Sequence, residues 1–220
     1  MKREILITAD GSTTIHIPEW NEQYHSKHGA IQEAYHVFIK NGLANFSNQK
    51  VNILEIGLGT GLNCFITYLE SDIRSLDVNY TGVEAFPVEK GEVLKLNYVS
   101  ELNAEKDAIV FDKIHTESWE SECKLSNNFK LFKRQQFFSD IDFEGEFNLI
   151  YFDAFGARVQ PELWTEEIFE KMFKALKYKG MLVTYSAKGS VRRAMIAVGF
   201  KVERLEGPPG KREMLRAIKN

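Results

Sequence analysis

The stretch Glu55-Ile56-Gly57-Leu58-Gly59-Thr60-Gly61-Leu62-Asn63 sets three glycines at alternate positions, directly after the apolar run VNILEI and before the helix-prone LNCFITYLE. Glycines in such a strand-to-helix turn let the backbone bend tightly and approach a ligand closely, and the helix N-terminus adds donors. A dinucleotide-binding G-x-G-x-x-G would need glycine where Leu62 stands, and a P-loop would need Gly-Lys-Ser/Thr, which is absent. The E-x-G-x-G-x-G form suits an amino-acid tail rather than a pyrophosphate. Glu55, Gly57, Gly59, Thr60, Gly61 and Asn63 are therefore candidate cofactor-binding residues. Glu84 ends the next strand-like run, YTGVEA, close to the roughly 20-residue offset at which an acid meets ribose hydroxyls. Loop and acid together fit an adenosyl ligand. Asp153 ends FNLIYFDAF, and ligands of open α/β sheets bind beyond the carboxyl ends of strands. It is the candidate catalytic residue and a candidate cofactor contact.

These residues need a scaffold, and the chain from residue 51 onward alternates strand and helix signals. VNILEIG, YTGVEA, the weaker FKLFKR, FNLIYFDAF and MLVTYSA read as strands. LNCFITYLE, VEKGEVLKLNYVSEL, ELWTEEIFEKMFKALKYKG (ending at Gly180) and SVRRAMIAVG read as helices. Near-continuous apolar strands in βα alternation imply a mainly parallel sheet covered on both faces. FKVERLEG and KREMLRAIK follow, joined by Gly207-Pro-Pro-Gly210, a turn too short for a parallel crossover. The last strand must then be antiparallel. The expected fold is α/β: a mainly parallel, seven-stranded, Rossmann-like sheet with a C-terminal antiparallel strand, as in class I methyltransferases. Residues 1–48 form a small addition, with a hairpin around Asp10-Gly11 and a helix in GAIQEAYHVFIKNGL; residues 49–220 form the main domain. Residues 103–128 are the least legible and are taken as an insertion.

Composition sets the outer limits. Hydrophobic residues make up 44% and charged residues 27%, as in a globular chain that builds a core around its 16 Phe and 8 Tyr. No apolar run approaches the roughly 20 residues that span a bilayer, and MKREILITADG turns polar too early for a secretory signal. The expectation is a cytoplasmic protein with no membrane partner. Cys64 and Cys123 offer no metal spacing, and His25 and His28 have no third ligand nearby, so no metal is expected. The net charge of −3 argues against nonspecific coating of nucleic acid, though a local basic patch is compatible with it.

Four segments in order, ILEIGLGTGLN, YFDAF…PELW, SVRRAMIAVGF and GKREML, resemble the methyltransferase domain of the tRNA 5-methylaminomethyl-2-thiouridine biosynthesis bifunctional (MnmC) family and its stand-alone relatives. That family shows a GFGTGLN-like loop, DGFAP…P-x-W, AGxVRRxL-x-x-AGF and a closing G-x-KREML. The upstream DGS and EAYHVF stretches are also similar, so the likeness runs over most of the chain. It implies S-adenosylmethionine as cofactor and methylation of the aminomethyl group on the tRNA wobble uridine. It also implies Gly57, Gly59, Gly61 and Glu84 at the cofactor and Asp153 near the transferred methyl. DAFGARVQP departs from the family pattern after Asp153, and KRQQ (133–136) stands where relatives carry an acid, which leaves the adenine contacts open. No flavin-dependent oxidase is legible in these 220 residues, so an upstream tRNA-modifying enzyme would supply the aminomethyl group.

Asp153 could orient the amine or accept its proton, directly or through water; the sequence leaves both open. Lys188, Arg192, Arg193, Lys211 and Arg212 are candidate phosphate contacts, and Phe155 and Trp164 candidate stacking surfaces for a splayed base. A small-molecule or protein methyltransferase, and a noncatalytic adenosyl-nucleotide-binding module, are the alternatives.

Overall fold

The computed structural model describes residues 2–220. Strands β1 (Glu4–Ile7) and β2 (Thr13–Ile17) form an antiparallel hairpin, and β3 (Glu22–Gln23) extends it to a three-stranded sheet. Asp10 shapes the hairpin loop, its Oδ1 accepting from Thr8 Oγ1 (2.7 Å) and the Ser12 N–H (3.1 Å). Helix α1 (Ala30–Ala34) continues as a wider π-helical segment over Tyr35–Lys40 and stops at Asn41-Gly42, where the sequence places its end.

The main sheet then begins. In chain order come β4 (Lys50–Ile56), α2 (Leu62–Ile73), β5 (Asp77–Val83), the single turns α3 (Lys90–Val93) and α4 (Tyr98–Glu101), α5 (Ala108–Thr116), β6 (Glu122–Ser126) and β7 (Phe129–Arg134). After these follow β8 (Phe147–Phe152), α6 (Glu166–Ala175), β9 (Leu176–Thr184), α7 (Gly189–Ala197), β10 (Lys201–Glu206) and β11 (Glu213–Ile218). The strand order is β10-β11-β9-β8-β4-β5-β7-β6. The β7-β5-β4-β8-β9 run is parallel, while β11 pairs antiparallel with β9 and with β10.

Alternate strand residues feed two cores, one on each face of the sheet. Ile53, Leu149 and Tyr151 pack with α1, α2 and α5; Leu54, Ile150 and Phe152 pack with α6 and α7. Burial on both faces explains why these central strands read as continuous apolar runs. All five parallel strands point their carboxyl ends to one edge, where the glycine loop, Glu84 and Asp153 sit. Among the described residues no helix is long and apolar enough to cross a membrane.

Three local expectations are corrected. The sheet has eight strands, because β6 adds antiparallel to the outer edge of β7. The segment read as one helix, VEKGEVLKLNYVSEL, is broken into α3 and α4 around Asn97. That side chain accepts from the Thr13 N–H (2.8 Å) and donates to the Gly11 carbonyl (2.9 Å), tying the crossover to the hairpin. The helix read to Gly180 ends at Ala175, and β9 starts at Leu176 with an irregular register against β8.

Thr165 caps the start of α6, its side chain accepting from the Ile168 N–H. Removing such a cap costs about 1 kcal/mol. Thr165→Ala is expected to lower Tm by about 2–4 °C for a chain of this size, read by thermal unfolding.

Candidate active site

A cavity of about 1670 Å³ opens at the carboxyl edge of the sheet. Its floor is the turn from β4 to α2, its sides are the segments after β5, β7, β8 and β9, and its roof is the N-terminal addition. The floor is held by backbone: the N–H groups of Gly57 and Leu58 both donate to the Val83 carbonyl (3.0 and 3.1 Å). Gly57 adopts φ +89°, and a Cβ there would lie 2.7 Å from the Asp153 carbonyl oxygen. The β4 and β8 ends can therefore close on each other only if residue 57 lacks a side chain.

Glu84 stands at the end of β5. Its Oε2 accepts from the Gly59 N–H (3.1 Å) and its Oε1 from the Phe86 N–H (2.9 Å). Glu84 lines the cavity, and a carboxylate has about four acceptor sites, enough to take ribose hydroxyls beside these N–H groups. Burial raises its pKa, against the opposing pull of these N–H groups and Arg3. Beyond Glu84 the wall carries Gln135 with Phe86 and Phe137, an edge-to-face pair at 5.9 Å.

Asn63, in the first turn of α2, links two carboxyls: its Nδ2 donates to Glu55 Oε1 (2.9 Å) and Asp153 Oδ2 (2.8 Å). Glu55 Oε2 also accepts from the Tyr80 hydroxyl (2.8 Å), and burial pushes the Glu55 pKa well up. Glu55 is fully buried and lies behind the cavity wall, so it acts through Asn63. Asn63 Oδ1 is buried without a partner, a vacant acceptor beside the glycine loop that a ligand ammonium would satisfy. Gly57, Gly59, Thr60, Asn63 and Glu84 line one continuous wall and fit an adenosyl ligand with an amino-acid tail. Gly61 sits just behind it, against Ile114 and His115.

Asp153 lines the same cavity at the end of β8. Burial and the nearby Glu33 carboxylate raise its pKa to about 7, against the Asn63 hydrogen bond and Lys211, which lower it. A carboxyl with this value exchanges a proton near neutral pH.

Phe155 and Lys211 also line the cavity, Phe155 packing edge-on against Tyr24 (4.9 Å) and Trp20 (5.6 Å). Trp164 does not face it. The indole is 5% exposed in the core below α6 and donates to the Phe155 carbonyl (2.7 Å), so it fixes the backbone of Phe155. Lys188, Arg192, Arg193 and Arg212 lie outside the cavity, around the start of α7 and the β10–β11 turn. Among the described residues no group of three His, Cys, Asp or Glu could hold a metal.

Sequence reasoning missed most of the roof. Tyr24, His25 and Glu33 line the cavity, and the His25 Nε2–Thr60 Oγ1 hydrogen bond (2.7 Å) joins the roof to the glycine loop. Burial lowers the His25 pKa to about 4, which keeps the ring neutral. A signal for Glu33 was present: it shares a helical face with the apolar Ala30, Ala34 and Val37.

The tRNA 5-methylaminomethyl-2-thiouridine biosynthesis bifunctional protein MnmC of Hydrogenovibrio crunogenus is 26% identical, over 89% of this chain and 31% of that protein. Its namesake from Leptospira interrogans is 30% identical, over 90% of this chain and 32% of that protein. The chain thus spans about a third of the length of these curated relatives. The crystal structure of MNMC2 from Aquifex aeolicus superposes with a TM-score of 0.77 at 24% identity, covering 98% of this chain and 69% of that one. That likeness establishes the fold, a Rossmann-like methyltransferase sheet with an N-terminal addition. A family model for S-adenosyl-L-methionine-dependent methyltransferases matches residues 106–220. These residues are more than half of the chain and include Asp153 and Lys211, and the chain belongs to the S-adenosyl-L-methionine-dependent methyltransferase family.

Proposed function

We propose that the chain methylates the amine of 5-aminomethyl-(2-thio)uridine at the tRNA wobble position, in the cytoplasm, after an upstream tRNA-modifying enzyme has installed the aminomethyl group. Support comes chiefly from Asp153, a carboxyl with a pKa near 7 on the wall of a cavity that also holds the adenosyl cradle. The names of the relatives point to the same modified base.

In this reading Gly57, Gly59, Thr60, Asn63 and Glu84 hold S-adenosylmethionine, with Gln135, Phe86 and Phe137 at its adenine. Bound S-adenosylmethionine supplies an electrophilic methyl group. The acceptor nitrogen must present a free lone pair, so the ammonium form has to lose a proton. Asp153 takes that proton and holds the remaining N–H, while Asn63 keeps the carboxyl in place. Tyr24 and Phe155 flank the entrance, where a base splayed from its loop can stack. Holding both reactants in one orientation supplies several kcal/mol of the barrier lowering. Phosphates then dock on Lys188, Arg192, Arg193 and Arg212 outside the cavity, with Lys211 inside it.

A small cationic amine is the second reading. Carboxylates outnumber lysines and arginines on the cavity wall, with Glu89, Glu92, Glu162 and Glu167 away from Asp153. Methyl transfer from labelled S-adenosylmethionine separates the two. The test substrate is tRNA from cells lacking this protein, and the product is read by nucleoside mass spectrometry. Conversion of 5-aminomethyl- to 5-methylaminomethyl-uridine is expected. No incorporation into precursor-bearing tRNA by a chain that binds the cofactor would remove the tRNA reading, and methylation of a free amine would establish the second.

A further inference from the structure

The glycine loop is held at its base by backbone and at its tip by a side chain from the N-terminal addition. Gly57, Gly59 and Gly61 all sit at positive φ (+89°, +49° and +71°), so the loop draws no stiffness from side chains at these positions. Bonds to the Val83 carbonyl fix residues 57 and 58. Thr60, between the last two glycines, is fully buried; its Oγ1 meets His25 Nε2 at 2.7 Å and accepts from the Tyr98 hydroxyl at 3.3 Å. A threonine hydroxyl has one donor and two acceptor sites, so it can satisfy both partners. His25 is in turn held by the hairpin: its N–H donates to Thr14 Oγ1 (3.0 Å), and the Tyr24 N–H donates to the Ile15 carbonyl (2.9 Å). Tyr24 lies against the loop as well, since a Cβ on Gly59 would lie 3.2 Å from Tyr24 Cδ1. Two consecutive roof residues thus meet two consecutive loop residues. An addition that served the acceptor alone would need only its contacts with Phe155.

We propose that His25 is a positioning residue of the cofactor site: through Thr60 it fixes the tip of the glycine loop, which makes the N-terminal addition a requirement for tight S-adenosylmethionine binding. This rests on the reading of residues 57–63 as the cofactor cradle. A free glycine-rich loop must be ordered when its ligand binds, and that ordering weakens affinity. With Thr60 tied to His25 and Tyr98, the N–H groups around the tip already stand in one arrangement before the ligand arrives. The roof then does two things at once, walling the acceptor side with Tyr24 and Phe155 and setting the cofactor side through His25.

The test is calorimetric titration of the full chain with S-adenosylhomocysteine, which needs no methyl acceptor. His25→Phe keeps a ring but loses Nε2, and it should raise Kd by about tenfold or more, as loss of a buried hydrogen bond would. Thr60→Val should match it, and the double variant should be no worse than either, because both remove the same bond. His25→Gln, whose amide can stand in for Nε2, should recover most of the affinity. Arg158→Ala is the control. Arg158 Nη2 lies 3.0 Å from the Trp20 and Asn21 carbonyls and from Glu22 Oε2, so it ties the addition to the loop after β8 without touching the cradle. Its loss should leave Kd within about twofold, as for an exposed pair. Without ligand, amide hydrogen exchange over residues 57–62 should quicken in His25→Phe and not in Arg158→Ala. An unchanged Kd in His25→Phe, or an equal rise in Arg158→Ala, overturns the proposal, the second because any loosening of the addition would then act alike. A wild-type chain that binds no S-adenosylhomocysteine would remove the cradle reading and the proposal together, whereas a binding wild type with unaffected variants removes the proposal alone.

Discussion

Asp153→Asn is expected to lower kcat for methyl transfer by about 10²–10⁴-fold, the range that a positioned acid–base group supplies, with cofactor affinity unchanged. The asparagine keeps the shape and still meets Asn63, but it cannot take a proton. In the wild type the rate should rise with pH as the carboxyl ionises around 7, and that limb should vanish in the variant. Equal turnover of the two proteins would exclude any chemical role for this carboxyl.

The same substitution should stabilise the fold, and the sign is informative. The folded-state pKa of Asp153 is about 7, above the ordinary value of 3.8 that it regains on unfolding. Between those two values the folded chain binds more protons than the unfolded chain, so this group's contribution falls as pH rises. The cost is fully expressed above about pH 7. Three units correspond to at most about 4 kcal/mol, reduced by water that reaches the cavity. Asp153→Asn is thus expected to raise Tm by several degrees at pH 8 and by progressively less toward pH 4, read by thermal unfolding across pH. A residue that weakens the fold in its active charge state is what a site selected for chemistry, and not for stability, would retain.

The sheet was legible because burial on both faces removes polar residues from the central strands, and ILEI, FNLIYF and MLVTY carry that signature directly. The C-terminal reversal was legible from Gly207-Pro-Pro-Gly210, since a short turn permits only one direction. Elsewhere local pattern and tertiary structure disagreed. Phe169, Met172 and Leu176 continue a helical spacing, yet Leu176 pairs with Phe147 in the sheet. Asn97 looks like an ordinary surface position in a helix and instead captures the hairpin loop, which breaks the helix. In the site, the glycine loop, Glu84 and Asp153 were legible because strand ends and turn chemistry are local in sequence. The roof was not, because Tyr24, His25 and Glu33 reach the cavity only through the docking of the N-terminal addition. Nor was the difference between Phe155 and Trp164, two aromatics nine residues apart, of which only Phe155 faces the cavity.

Gly57→Ala is expected to abolish measurable cofactor binding while leaving a folded but weakened chain. Two costs combine. An L-residue at φ +89° is strained by roughly 1–2 kcal/mol. The new Cβ would also lie 2.7 Å from the Asp153 carbonyl oxygen and 3.2 Å from its carbon. These atoms belong to backbone, and the Asp153 N–H is already bonded to the Ile56 carbonyl (2.9 Å), so the β8 end cannot move aside without breaking the ladder. Forcing such contacts typically costs a further 1–3 kcal/mol. Gly145 separates the two effects: it has φ +62° and nothing within 4 Å of its added Cβ. Gly145→Ala should therefore show only the conformational cost in urea unfolding, with normal cofactor affinity by calorimetry. Gly57→Ala should lose more stability than that, and its cofactor binding with it, because the methyl group displaces the joint between the loop that grips the cofactor and the strand that carries Asp153. Equal losses in the two variants would mean that the β4 and β8 ends do not depend on their close approach, and that the glycine serves only the turn.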